Sequence, residues 1–157
     1  MKIQTTRFGE IEGDEKAIFD FVMPILGYND EKQFILVESK EASLFKWLQS
    51  TKTPDLAFLT TSPSFFGIDY VFELPDEAES ALDVKSAEDL MVLNIAKVPN
   101  NNPRGTTVNL LAPVIFNIKN NNAGQVILSG SGLDVTYPLF QNQPAKDDEN
   151  TKEGEPT

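Results

Sequence analysis

The 157-residue chain has no cysteine, no histidine and one tryptophan, and it carries 24 acidic residues against 13 basic ones. Without cysteine there is no disulfide, no thiolate nucleophile and no thiolate-bound zinc or iron–sulfur cluster. Without histidine, the side chain that most often moves protons at neutral pH is missing as well. These two absences exclude by inventory a Ser/His/Asp triad, a Cys/His pair, a HExxH metal site and a zinc deaminase site. Apolar runs are only a few residues long, so no stretch reads as a membrane-spanning helix. The opening KIQTTRFGEIE lacks the apolar core of a secretory signal, and the expectation is a cytoplasmic protein with no membrane partner.

Catalysis would have to rest on carboxylate, lysine, tyrosine or serine. The glycines of GSG at Gly130–Gly132 are followed neither by Lys-Ser/Thr nor by a helix, so they read as a turn and not a phosphate loop. DDEN at Asp147–Asn150 falls in a polar tail where a metal would have to order the chain, and no cofactor is expected. Asp69 and Glu73 share one face of an expected strand and are the couple a glycoside hydrolase would use. Four residues along a strand is about 13 Å, too far for a retaining mechanism unless the side chains lean inward. The expectation is a non-enzyme.

The formal net charge is −11. Lys146 and Lys152 against Asp147, Asp148, Glu149, Glu153 and Glu155 leave −3 on the last seventeen residues and −8 on Met1–Phe140. Such a field repels phosphate backbones and favours encounter with basic partners. An OB-like nucleic-acid-binding domain is the alternative for a small barrel with aromatics. Against it, Arg7, Lys46, Lys97, Arg104 and Lys119 are scattered along the chain, so no direct nucleic-acid contact is expected.

Forty per cent apolar residues and eleven phenylalanines are enough for one packed domain, placed at residues 1–140. Residues 141–157, QNQPAKDDENTKEGEPT, hold nothing apolar larger than alanine and read as a flexible acidic C-terminal tail. Within the domain the clearest pattern is TTVNLLAPVIFNIK, where Val108, Leu110, Ala112, Val114, Phe116 and Ile118 fall two apart. That is the period of one strand face, with Pro113 marking an edge or a bulge. Asn120–Gly124 then predicts a reversal into a second strand, QVILS. Further strands are expected as a hairpin around Gly9, at Ala17–Phe21, Lys32–Glu38, within Glu41–Ser50, in LAFLTT, at Ile68–Leu74 and at Leu90–Val98. Ile25, Leu26 and Tyr28 are expected to be buried under an irregular turn, and Trp47 to serve packing. Phe65 and Phe66 stand in a loop, where burial is favoured over display to a partner. Pro75–Asp83, with proline first and acids in the first turn, predicts a short helix, and Ser86–Asp89 one more turn. The sum is an all-β chain, a small, partly open antiparallel β-barrel with one short helix.

NLLAPVIFNIK, GQVIL and the terminal YPLF resemble the flagellar assembly factor FliW family. TRFGEIE, WLQS, PDLAF and DYVFEL follow the family in the same order, so the resemblance spans Met1–Phe140. It implies the same barrel and a non-enzymatic regulator. Such a protein binds flagellin and antagonises the CsrA-type RNA-binding regulator, coupling flagellin synthesis to export. A monomer when free is the expectation for the chain. The chain departs from the family where Thr136-Tyr137 replace Arg-His, where Val108 replaces a common Ala, at Ser62, and at Pro24 and Tyr28. The contact candidates carried with the resemblance are Phe66, Asp69, Asn109, Pro113, Leu139 and Phe140.

Overall fold

A computed structural model describes residues 1–38 and 44–140. The acidic tail and Glu41–Ser43 therefore lie outside the described residues. The N-terminal hairpin is as expected. Strand β1 (Lys2–Thr5) pairs antiparallel with β2 (Gly9–Glu12), and Gly9 takes the positive φ of 70° that the turn demands.

The next strands are β3 (Ile18–Met23), β4 (Gln33–Glu38), β5 (Phe45–Ser50), β6 (Ala57–Thr61) and β7 (Leu90–Lys97). From β4 onward, each pairs antiparallel with the one before it. After β8 (Thr107–Val108), strands β9 (Val114–Asn117) and β10 (Asn122–Gln125) form the second hairpin. β9 pairs with β7 and β10 with β3, so seven strands close a ring. The expected barrel is present, its ring closed, and the β10–β3 pairing is parallel. Gly124 sits at a register shift in that pairing, and a Cβ there would lie 2.6 Å from the Met23 Cβ. β8 and β11 (Tyr137–Pro138) extend the sheet beyond the C-terminal half of β7.

The long alternation Val108–Ile118 is not one strand. Six residue steps separate Val108 from Val114, while their partners Ala96 and Leu93 on β7 are three apart. Three extra residues therefore loop out between β8 and β9. Asn109 fixes this bulge: its Oδ1 accepts the Ala112 N–H at 2.9 Å, while its own N–H donates to the Ile95 carbonyl at 3.0 Å. A side-chain oxygen that bonds main chain a few residues on competes with the ladder. Alternation still predicts burial, since Val108, Leu110, Ala112, Val114 and Phe116 are all buried; Ile118, already in the turn, is exposed. The reversal itself is 118–121, with Asn121 at φ 62°, so Asn122–Gly124 belong to β10. The continuation of QVILS is extended rather than laddered, with Val126 and Leu128 N–H groups donating to the Pro113 and Leu111 carbonyls.

Inside the ring pack Phe19, Phe21, Phe34, Leu48, Leu93, Val114 and Phe116. Phe116 meets Phe19 and Phe21 edge-on, at centroid distances of 4.9 and 6.1 Å. On the outer wall, α1 (Asp76–Ala81) lays Ala78 and the following Leu82 over Ile115, Val126 and Leu128. That cover explains why β9 is buried on both faces. Asn117, also buried, anchors the helix end by donating from Nδ2 to the Leu82 carbonyl at 2.9 Å.

Three further expectations are corrected. Ile68–Leu74 joins no sheet, although its apolar alternation persists, with Ile68 buried and Tyr70, Phe72 and Leu74 half-buried. Its inward side chains satisfy the core without a neighbouring strand. Of the turn after β3, only Ile25 is buried; Leu26 and Tyr28 are exposed, because the chain folds back on itself through Tyr28 N–H to Ile25 C=O. Phe65 is 57% exposed, while Phe66 is half-buried.

Candidate interaction surface beside the sheet extension

A third apolar cluster forms where β8 and β11 extend the sheet. Ile68, Val108, Leu110 and Leu139 are buried there, with Phe45, Phe66, Tyr70, Tyr137 and Phe140 packed around them. Ser62-Pro63 starts a 3-10 turn through Phe66, and Gly67 at φ 77° ends it, which turns the chain back along the cluster. Phe66 then sits between Phe45 and Phe140, at centroid distances of 5.7 and 5.5 Å. Phe65 points away from this stack into solvent.

Under the aromatics lies a polar node. The Tyr70 hydroxyl donates to the Leu110 carbonyl at 2.6 Å and accepts from Asn94 Nδ2 at 3.1 Å. Asn94 Nδ2 also donates to the Asn109 carbonyl at 2.8 Å, whereas the buried Asn94 Oδ1 has no hydrogen-bond partner among the described residues. Burial pushes the Tyr70 phenol above its ordinary range, with the Asn94 hydrogen bond opposing the shift. The node fastens the unladdered segment 68–74 to the bulge at Asn109.

Most of the contact candidates meet here. Phe66, Leu139 and Phe140 share the cluster, Asp69 follows Ile68 on the exposed side, and Asn109 lies between Val108 and Leu110. Pro113 stands apart, buried where its carbonyl receives the Val126 N–H. Leu139 and Pro113 are buried, so they would act on a partner only through the backbone they hold. Asp69 is the exposed member, and Phe66, Asn109 and Phe140 are half-buried.

Two features were not singled out from sequence. Arg7, at the tip of the first hairpin, stacks its guanidinium 3.9 Å above the Trp47 ring, and Phe8 meets the same ring edge-on. Trp47 also lines an open groove of about 500 Å³ with Tyr28, Phe58, Ile95, Lys97 and Val98. The second feature is Val71, which is 84% exposed. An apolar residue between Asp69 and Glu73 was the available signal, and strand alternation alone made it look ordinary. Asp69 and Glu73 themselves are both exposed. Among the described residues, no group of three acidic side chains is placed to hold a metal, and no helix is long and apolar enough to cross a membrane.

The sequence profile of the family described as FliW protein matches residues 2–139, which is the whole barrel and its sheet extension. The chain belongs to the FliW family. Among FliW relatives, the flagellar assembly factor FliW of Natranaerobius thermophilus is 35% identical over 146 residues, covering 93% of this chain and 97% of the relative. That of Caldicellulosiruptor saccharolyticus is 36% identical over 140 residues, covering 89% and 91%. A crystal structure of the flagellar assembly factor FliW superimposes with a TM-score of 0.83 at 32% identity, covering 92% of this chain and all of that one. The matched span holds the bulge, the Tyr70 node and the aromatic cluster apart from Phe140.

Proposed function

We propose that this protein is a flagellar assembly factor that works by holding other proteins and has no reaction of its own. It binds flagellin; when flagellin is exported, it binds a CsrA-type RNA-binding regulator and relieves repression of flagellin translation. Flagellin synthesis is thereby coupled to export. Family membership across residues 2–139 carries this reading. A net charge of −11 supports it, because an acidic surface speeds encounter with a basic regulator and makes binding sensitive to salt. The protein acts in the cytoplasm, without cofactor, as a monomer when free.

The cluster beside the sheet extension is the contact surface in this reading. Phe66, Asp69 and Phe140 touch the partner, Asn109 and Leu139 hold the backbone that presents them, and Pro113 bears on the surface only through the Val126 N–H its carbonyl receives. Thr136-Tyr137, in place of the family's frequent Arg-His, tune partner choice. Calorimetric titration with flagellin and with a CsrA-type protein tests the proposal. Binding of either at micromolar affinity or tighter is expected, with affinity for the regulator falling as salt rises. No heat from either partner overturns it.

A further inference from the structure

We infer that Asp69–Leu74 is a docking edge for a basic, extended peptide segment of a partner protein, which joins it as an added β-strand in the groove facing Leu128–Leu133. The inference goes beyond the proposed function, because it does not depend on which protein brings the strand.

The first observation is a run with strand alternation and no ladder partner among the described residues. Ile68, Tyr70, Phe72 and Leu74 face inward and Asp69, Val71 and Glu73 face outward, which is strand alternation. Yet no hydrogen bond joins a main-chain group of Asp69–Leu74 to any other described residue. These donors and acceptors turn to water until another strand takes them. A half-docked extended segment with free edges is the template that strand addition uses.

The second observation is room for a guest. Val71, Phe72, Glu73 and Pro75 form one wall of an open groove of about 300 Å³, and Leu128, Ser129, Ser131 and Leu133 form the other. Its lining mixes apolar Val71, Phe72, Leu128 and Leu133 with polar Glu73, Ser129 and Ser131. Its size is at the low end for a small-molecule pocket, whereas an open trough suits a chain that uses only a few side chains.

Charge selects the occupant. From Ser62 to Val84 the chain carries Asp69, Glu73, Asp76, Glu77, Glu79 and Asp83 with no lysine or arginine, only Asp83 being paired among the described residues, with Lys85 at 3.1 Å, and from Asn120 to Phe140 it carries Asp134 alone. All seven acids are exposed. An incoming strand with cations opposite Asp69 and Glu73 and an apolar residue opposite Val71 matches both charge and hydrophobicity. A second copy does not fit, because antiparallel self-pairing centred on Val71 sets Asp69 directly against Glu73. Like charges opposed in this way destabilise a pair. The chain's own tail, with net charge −3, is repelled for the same reason.

The test uses the full chain and a synthetic heptapeptide, Thr-Lys-Thr-Val-Thr-Lys-Thr, blocked at both ends. Backbone amide exchange is followed by NMR as peptide is added to millimolar concentration. Slowed exchange at alternate amides within Asp69–Leu74 is expected, since an added strand engages every second residue. The same peptide with Glu in place of Lys, or N-methylated at alternate residues, is expected not to protect these amides. The double variant Asp69→Lys/Glu73→Lys, altered only at exposed positions, is expected to bind the Lys peptide at least about tenfold more weakly and to accept the Glu peptide. Four results each overturn the inference: no protection at millimolar peptide, protection elsewhere only, equal binding of the N-methylated peptide, or an unchanged preference in the double variant. Concentration-dependent protection without peptide would assign the edge to a second copy and overturn it too.

Discussion

Replacing Tyr70 by phenylalanine removes one oxygen and tests whether the polar node holds segment 68–74 in place. Two hydrogen bonds disappear, the 2.6 Å bond to the Leu110 carbonyl and the 3.1 Å bond from Asn94 Nδ2. Asn94 keeps its 2.8 Å bond to the Asn109 carbonyl, so its amide is not stranded. The Leu110 carbonyl, in contrast, loses the hydroxyl that satisfied it. At about 0.5–1.5 kcal/mol per bond, the expected loss is about 1–3 kcal/mol. In a domain of this size a loss near 2 kcal/mol lowers Tm by about 4–8 °C. The pH dependence supplies an independent readout. Because the folded-state phenol titrates above its unfolded value, Tyr70 contributes stability that is complete below about pH 10 and is lost as pH rises through the folded pKa. Urea denaturation of wild type and Tyr70→Phe from neutral pH upward checks both parts. The two stability curves should converge above pH ~10, since the variant has no phenol to ionise there. A loss below ~0.5 kcal/mol with parallel curves would show that the node does not fasten the segment.

Gly124→Ala should cost about 1–3 kcal/mol in urea denaturation, because the new Cβ would lie 2.6 Å from the Met23 Cβ and the parallel strands must separate to admit it. Burial of the Glu31 carboxyl opposes ionisation, but hydrogen bonds from Ser50 and Thr53 and the charge of Lys52 outweigh it and hold the group below its ordinary range. Its contribution is therefore present above about pH 4.3 and lost as pH falls through the folded pKa; Glu31→Gln should flatten the acid limb of the stability profile. Phe66→Ala should lower stability by about 1–2 kcal/mol, less than for a fully buried ring, and weaken flagellin binding at least about tenfold in calorimetry. Phe65→Ala, at a ring 57% exposed, should leave stability within about 0.5 kcal/mol.

How far residues announce their roles depends on whether the deciding interaction is local. The β9–β10 hairpin and helix α1 follow from nearby turn formers, proline and acids, and both are present within a few residues of expectation. Alternation along Val108–Phe116 marked buried positions correctly but not the ladder, because the three extra residues are set by the register against β7 and by the Asn109 side chain. The same separation of burial from pairing explains Ile68–Leu74. A period of two reports which side chains face the core and cannot say whether another strand lies alongside. Ring closure depends on β7 meeting β9 and on β3 meeting β10, a pairing between residues about a hundred positions apart. The candidate site was partly legible. The motif YPLF pointed to Phe140 and the loop aromatics to Phe66, which the fold does bring together, while the Tyr70–Asn94 node arises from residues with no motif between them.

The most direct measurement is hydrogen–deuterium exchange of the protein bound to flagellin, compared with the free protein. Protection concentrated in 62–74 and 137–140, around the aromatic stack and the outward face of Asp69, is the predicted result. Protection confined to the Trp47–Ile95 flank, with the aromatic stack unchanged, would contradict the account.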